Sequence, residues 1–191
     1  AYEIESRDWS SDVCSSDLVE IEGKDGRREL PLDALHRLPG ETPERETALE
    51  RGDLIVALRL PGEAKDFAGH ARYIKVRERT SYAFAVVSSV AALRIEDGKI
   101  REARLALGGV AAKPWRAREA EQVLAGATPD AARYREAARA ALAGAKPSGD
   151  NAFKIELAQR IIVRALTLAA RGTPDRIPAL PGSPFSSVAG A

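Results

Sequence analysis

Methionine is absent from all 191 residues, initiator included, so the numbered chain is expected to start inside a longer reading frame. Cysteine occurs once, at Cys14, and an iron–sulfur cluster needs several thiolate ligands, so this chain cannot supply a cluster by itself. Two histidines, His36 and His70, stand far apart with no cysteine or carboxylate at metal-ligand spacing. No apolar run approaches the roughly 20 residues of a membrane span, and the N-terminus lacks the basic-then-apolar pattern of a secretory signal. A formal net charge of +1 argues against a general nucleic-acid binder, whose affinity rests on neutralising phosphates. G-x-S-x-G, H-E-x-x-H, a Walker loop and G-x-G-x-x-G are all missing, which removes the commonest hydrolase and nucleotide signatures. Gly108-Gly109 follows an apolar run without a third glycine, and reads as a turn rather than a phosphate cradle.

One stretch is foreign in character. Asp8 to Leu18, DWSSDVCSSDL, is Ser-rich, has no apolar period and carries the lone cysteine. Codon by codon it corresponds to a common short-read sequencing adapter read in one frame. Residues 1–18 are therefore expected to be an artefact plus an unrelated leader, and neither Trp9 nor Cys14 carries a functional argument. Its three Asp account for −3, so the rest of the chain holds +4 rather than +1.

What is present is organised around Tyr73–Lys113. Residues 84 to 93 are almost wholly apolar or small (Phe84, Val86, Val87, Val90, Leu93), as in a strand covered on both faces at the centre of a sheet. Glu96-Asp97-Gly98-Lys99 then predicts a hairpin, because Asp-Gly supplies the two positive-φ residues of a type I′ turn, with Glu96 and Lys99 able to face each other. Upstream, VEIEGKDGRRELPL predicts a second hairpin turning at Lys24–Arg27, and LIVALRL (54–60) a strand ended by Pro61-Gly62. From Lys113 the apolar period changes from two to 3.6. The spacing predicts a helix over 115–124 with Pro114 in its first turn, and a second from the Thr128-Pro129-Asp130 start signal, with Thr128 as hydroxyl cap, to about Leu142. A third runs over 151–171, capped by Asp150 and stopped by Gly172, with Phe153, Leu157, Ile161 and Ala158, Ile162, Leu166 in adjoining rows. The expected fold is α+β: an antiparallel sheet of three to four strands covered by three C-terminal helices. Residues 173–191 form a Pro-rich tail.

Arg79–Val87 approaches the RNA-stacking strand of an RRM but lacks its glycine and its last aromatic. A hairpin follows where that fold needs a helix, so RNA binding is the weakest reading. A fuller pattern comes from GDLIVALRLP (52–61), YIKVRERTSYAFAVVSSVAALRIEDGKI (73–100), ARLALGGVAAKPWRAREAE (103–121) and GDNAFKIELAQRIIVRAL (149–166). Taken in order, these blocks resemble the C-terminal domain of the flavin-binding subunit of molybdenum hydroxylases, the family of xanthine dehydrogenases, aldehyde oxidoreductases and carbon monoxide dehydrogenases. HRLPGETPERETAL (36–49) and SYAFA (81–85) are similar to the subunits of bacterial periplasmic-type aldehyde oxidoreductases.

The resemblance covers about residues 19 to 171. It implies that 19–50 end an FAD-binding domain whose phosphate-cradling loops lie outside this chain, and that 51–172 form the flavoprotein C-terminal domain. It also implies a cofactor, FAD, and partner subunits carrying the molybdenum cofactor and iron–sulfur clusters, in a heterotrimer or its dimer. Matched by position, Ile55 corresponds to an apolar contact on the flavin ring and Lys75 to a lysine beside it. Xanthine dehydrogenases carry acidic residues between that lysine and Phe84, near the approach of nicotinamide. Here Ser81-Tyr82-Ala83 is uncharged, which makes NAD a doubtful acceptor and leaves oxygen, a quinone or a small electron carrier. Tyr82 either stacks over the flavin or packs at the sheet edge. The alternative function is a non-catalytic subunit-docking module. The expected compartment is the cytoplasm, or the periplasm if the chain is exported together with a partner.

Overall fold

The computed structural model describes residues 17–79 and 82–174. Ala1–Ser16, with Trp9 and Cys14, Thr80 and Ser81, and most of the Pro-rich tail lie outside the described residues. The first sheet is built from β1 (Leu18–Gly23), β2 (Gly26–Pro31) and β3 (Leu54–Arg59), in the order β2-β1-β3 with antiparallel pairing throughout. Its hairpin closes at Gly23↔Gly26, and Gly26 takes φ +102°, which a side chain rarely adopts. Val19 and Ile21 alternate inward, where they meet Leu35 of the short helix α1 (Leu32–Leu35) together with Leu30, Leu32 and Leu49. Strand β1 begins one residue ahead of Val19, and the buried Asp17 accepts the Leu32 N–H on its carbonyl at 2.9 Å.

A run of 3-10 turns, Gly62–His70, leads into the second sheet. Here β4 (Ala71–Val76), β5 (Val87–Glu96), β6 (Lys99–Gly108) and β7 (Trp115–Arg116) lie in sequence order and are all antiparallel. As its composition predicts, β5 is interior, and every residue from Val87 to Leu93 is buried. The β5–β6 turn has Asp97 at φ +50° and Gly98 at +70°, the pair a type I′ hairpin requires. Glu96 and Lys99 face each other in register as expected, but among the described residues the Glu96 carboxylate pairs with Arg94 at 3.5 Å and Arg101 at 3.2 Å instead.

Three helices cover one face: α2 (Arg118–Leu124), α3 (Ala131–Ala141) and α4 (Phe153–Ala170). Leu93, Ile100, Leu105 and Leu107 from the sheet meet Leu124, Ile162, Ala165 and Leu166 from the helices in one core. Each of the fully buried Leu and Ile side chains contributes about 1.5–3 kcal/mol. The Ala-rich faces of α3 (Ala137, Ala138, Ala141) and α4 (Ala158, Ala165, Ala169) are buried, and their small side chains let the backbones approach closely.

Three local expectations need correction. Trp115 and Arg116 are not helical: they pair with Leu107 and Ala106 as β7, and Ala117 N–H continues the ladder to the Leu105 carbonyl at 2.9 Å. The Arg116 guanidinium grips Glu121 at 3.0 and 3.1 Å, holding the strand against α2. The cap of α3 is Asp130 rather than Thr128, its carboxylate accepting from Ala132 and Arg133 N–H at 2.8 and 2.9 Å. Asp150 does not cap α4, whose N-cap is Ala152; the neighbouring Asn151 side chain closes a turn on Ser148 instead. Along α4 the row Ala158, Ile162, Leu166 is buried as its spacing predicts, whereas Phe153 at the first position is exposed.

After α4 the chain is clasped to the start of β4. Thr173 Oγ1 accepts the Ala71 N–H at 2.8 Å, Thr173 N–H reaches the Gly69 carbonyl, and Arg72 donates to the Gly172 carbonyl at 2.8 Å. His70 Nδ1 lies 3.0 Å from the Ala169 carbonyl, which makes it a donor there.

Candidate functional site

The three residues singled out by sequence lie on β3, on β4 and on the loop after β4. Both ends of β3 are fixed by charge. Arg28 forms a two-pronged pair with Asp53, whose carboxylate also accepts the Glu50 N–H at 2.7 Å and whose side chain is 5% exposed. The guanidinium holds the Asp53 carboxyl below its ordinary range, helped by the Glu50 N–H. Gly23 makes room for this pair, since a Cβ there would sit 2.3 Å from Asp53 Oδ1. At the other end Arg59 reaches Glu20 and Glu29. Between these anchors the strand is apolar and open: Leu54 is 65% exposed, Ile55 41% and Leu58 60%. Ile55 stands opposite the buried Ile21, so it extends the core face of the first sheet to its outer edge.

Lys75 belongs to the second sheet. On β4, Ile74 faces the helices while Tyr73 and Lys75 alternate onto the opposite face. Lys75 is exposed and has no ion-pair or hydrogen-bond partner among the described residues. Its cross-strand neighbour is Ser88, and the next in the row is Gly108, where a Cβ would come within 2.6 Å of Ser88 Oγ. The adjoining row runs Tyr73, Val90, Ala106. Small side chains therefore flank Lys75 across three strands. Nothing in the linear sequence marks Ser88 and Gly108 as neighbours of Lys75; only the register does.

The loop from Arg77 to Ala85 is closed at its base by Val86 N–H to Val76 carbonyl, 2.8 Å. Tyr82 projects from it, 94% exposed, with φ +49°, and its carbonyl accepts from the Arg79 guanidinium. Tyr82 makes no packing contact with the sheet edge as a buried side chain would. Phe84, expected within the central strand, instead lies before it and is 99% exposed. The structure thus places Lys75 and Tyr82 on one strand–loop unit, while Ile55 stands on the other sheet.

Gly108-Gly109 is occupied by packing. Gly109 has φ +75°, a Cβ on it would meet the Ala85 and Val86 carbonyls at 3.0 Å, and Lys154 Nζ donates to the Gly109 carbonyl at 3.1 Å. His36 bridges to Thr47 and His70 to α4, and among the described residues no cluster of His, Cys, Asp or Glu could hold a metal. No helix among them is long and apolar enough to cross a membrane. Chemically, the exposed strand edge offers apolar contact, the Lys75 ammonium favours negative charge placed beside it, and the exposed Tyr82 ring offers a stacking surface.

The CO dehydrogenase flavoprotein C-terminal domain matches residues 72–169. The aldehyde oxidoreductase FAD-binding subunit PaoB of Escherichia coli K12 is 42% identical over 152 residues, 78% of this chain and 42% of that protein. The putative xanthine dehydrogenase FAD-binding subunit XdhB of the same organism is 32% identical over 104 residues, 54% of this chain and 34% of that one. Among solved structures, the carbon monoxide dehydrogenase of Hydrogenophaga pseudoflava superposes with a TM-score of 0.72 at 27% identity, covering 86% of this chain and 56% of that chain. The chain spans less than half the length of the curated relatives it matches.

Proposed function

Because the chain belongs to the CO dehydrogenase flavoprotein C-terminal domain family, we propose that it is part of the FAD-binding subunit of a molybdenum hydroxylase. The observation that carries this reading is the 42% identity to the FAD-binding subunit of an aldehyde oxidoreductase. FAD, when bound, supplies the redox chemistry that takes electrons from iron–sulfur clusters to an acceptor while an aldehyde or N-heterocycle is oxidised. The clusters and the molybdenum cofactor belong to two partner subunits, in a heterotrimer or its dimer. The complex works in the cytoplasm, or in the periplasm where a partner carries it across.

This chain's own residues bind and bias the ring. Ile55 gives an apolar wall at a strand edge. The Lys75 ammonium, unpaired among the described residues, favours negative charge placed beside it. Tyr82 covers the approach with an uncharged aromatic side chain, which disfavours NAD as acceptor and suits oxygen, a quinone or a small electron carrier.

Lys75→Met in a complete subunit tests the assignment. Two unit charges about 4 Å apart interact by about 4 kcal/mol at an effective dielectric near 20, and solvent at the ring edge reduces that severalfold. Removing the ammonium should lower the flavin potential by some tens of millivolts and change electron delivery to the acceptor. Reduction of the complex by substrate should stay as in wild type, and Met keeps the apolar stem, so the fold survives. Unchanged potential with unchanged rates in both half-reactions would make Lys75 a solvated strand residue.

A further inference from the structure

Helix α4 carries an apolar row that the fold leaves uncovered. Phe153, Leu157 and Ile161 follow one another at i, i+4, i+8, the spacing of a core stripe, yet only Ile161 is buried. Leu157 is half-buried and Phe153 is 58% exposed, so the row slants out of the core onto the outer face of the helix. Rows at i±4 are the ridges on which a second helix packs. Lys154 Nζ donates to the Gly109 carbonyl at 3.1 Å and so holds the first turn of α4 against the β6–β7 turn. Trp115, 44% exposed, opens β7 directly after that turn and extends the apolar surface with a residue type favoured in interfaces. Seven and eleven positions beyond Phe153, on the same face, stand Arg160 and Arg164. Arg160 is paired with Glu156, whereas the exposed Arg164 has no partner among the described residues. Residues 113–174 hold 11 Lys and Arg against 6 Asp and Glu, while residues 17–112 hold 16 against 17, so the positive excess lies on the helical side of the molecule.

We propose that the outer face of α4 docks an acidic amphipathic helix of a partner protein. The apolar row of that helix packs on Phe153 and Leu157, and its carboxylates meet Arg164 and share Arg160 with Glu156. Charge complementarity selects this occupant. A second copy of α4 laid across the first would set one arginine stripe against another, which costs energy. A lipid surface takes up a helix through a broad apolar face, and here that face is already occupied by the core, with Ala158, Ile162, Ala165 and Leu166 all buried. The inference goes beyond the flavin assignment and uses none of Ile55, Lys75 or Tyr82, so the two stand or fall separately.

The test uses the full chain and three probes: a labelled helix-forming peptide with Leu at i, i+4 spacing and Glu beside it, the same peptide with Lys for Glu, and phosphatidylglycerol vesicles. The acidic peptide should bind in fluorescence anisotropy and weaken with added salt. Phe153→Ser, at an exposed position where the thermal midpoint should stay as in wild type, should weaken it at least several-fold. Arg164→Glu, also exposed, should abolish binding of the acidic peptide and create binding of the basic one, an exchange that a general loss of fold cannot produce. Four results would overturn the proposal: no binding by the acidic peptide, equal binding by the basic peptide or the vesicles, indifference to both substitutions, or a dimer of the chain itself that Phe153→Ser dissociates.

Discussion

Tyr134 shows how much a single side chain can depend on its surroundings. It is 3% exposed within α3, its hydroxyl has no hydrogen-bond partner among the described residues, and burial, with the nearby Asp130 charge, pushes its pKa up to about 12. A folded pKa raised above the ordinary value of 10.0 means that the neutral phenol is the form the fold accommodates. Its contribution is therefore intact below pH 10 and is lost as pH rises through about 12. Tyr134→Phe removes an unsatisfied buried hydroxyl without emptying the space, so thermal unfolding at neutral pH should be unchanged or slightly higher. The variant should also lose less stability than wild type between pH 10 and 12. A loss of more than about 1 kcal/mol at neutral pH would mean that the hydroxyl has a partner after all. The helical spacing predicts Tyr134 on α3, but an unpartnered hydroxyl is a property of packing and could not be read from sequence. Lys75 and Tyr82 are a middle case: resemblance picks them out, while the small residues beside Lys75 emerge only from strand register.

At the scale of elements, punctuation was the most legible signal. Asp97-Gly98, Gly126 and Gly172 end or turn their segments in the positive-φ conformations that glycine-rich turns require. Capping by Thr128 and Asp150 was less legible, because each start signal holds several residues able to cap and local geometry selects Asp130 for α3 and a bare Ala152 for α4. Strand β7 was hidden because Pro114-Trp115 suits a helix start as well as a short strand, and the choice is made by pairing with Leu107 and Ala106 rather than by any local preference. Strand β3 was legible as a strand but its attachment to β1 was not, since the Arg28–Asp53 and Arg59–Glu20 pairs join residues distant in sequence. That attachment is predicted to be acid-sensitive. The Asp53 carboxyl is depressed by Arg28, so its contribution is complete above the ordinary carboxylate range near 4 and is lost as pH falls through the lower folded value. Between pH 5 and 2 the thermal midpoint of wild type should fall more steeply than that of Asp53→Asn. Parallel profiles would show that the pair does not hold β3.

At the scale of the whole molecule, a helix-covered antiparallel sheet is joined to a smaller sheet with an open apolar edge. The α+β class and the three covering helices followed from a change of period at Lys113, a signal strongest over the two longer helices, Ala131–Ala141 and Phe153–Ala170. The second sheet was not separable in advance, as nothing local tells whether Leu54–Arg59 pairs with Leu18–Gly23 or with Tyr73. Under the proposed function, this chain supplies the ring end of an FAD site and the phosphate-binding loops are supplied by residues outside 19–171. The most direct measurement is FAD retention by a chimera in which residues 19–171 replace the matching C-terminal region of the Escherichia coli aldehyde oxidoreductase FAD-binding subunit, with the present chain alone as the reference. Backbone N–H groups around a pyrophosphate supply the charged, oriented part of the binding energy. The chimera should keep near-stoichiometric flavin after desalting while the chain alone emerges colourless. A chimera that folds but holds no flavin, or a chain that is yellow by itself, would contradict the claim.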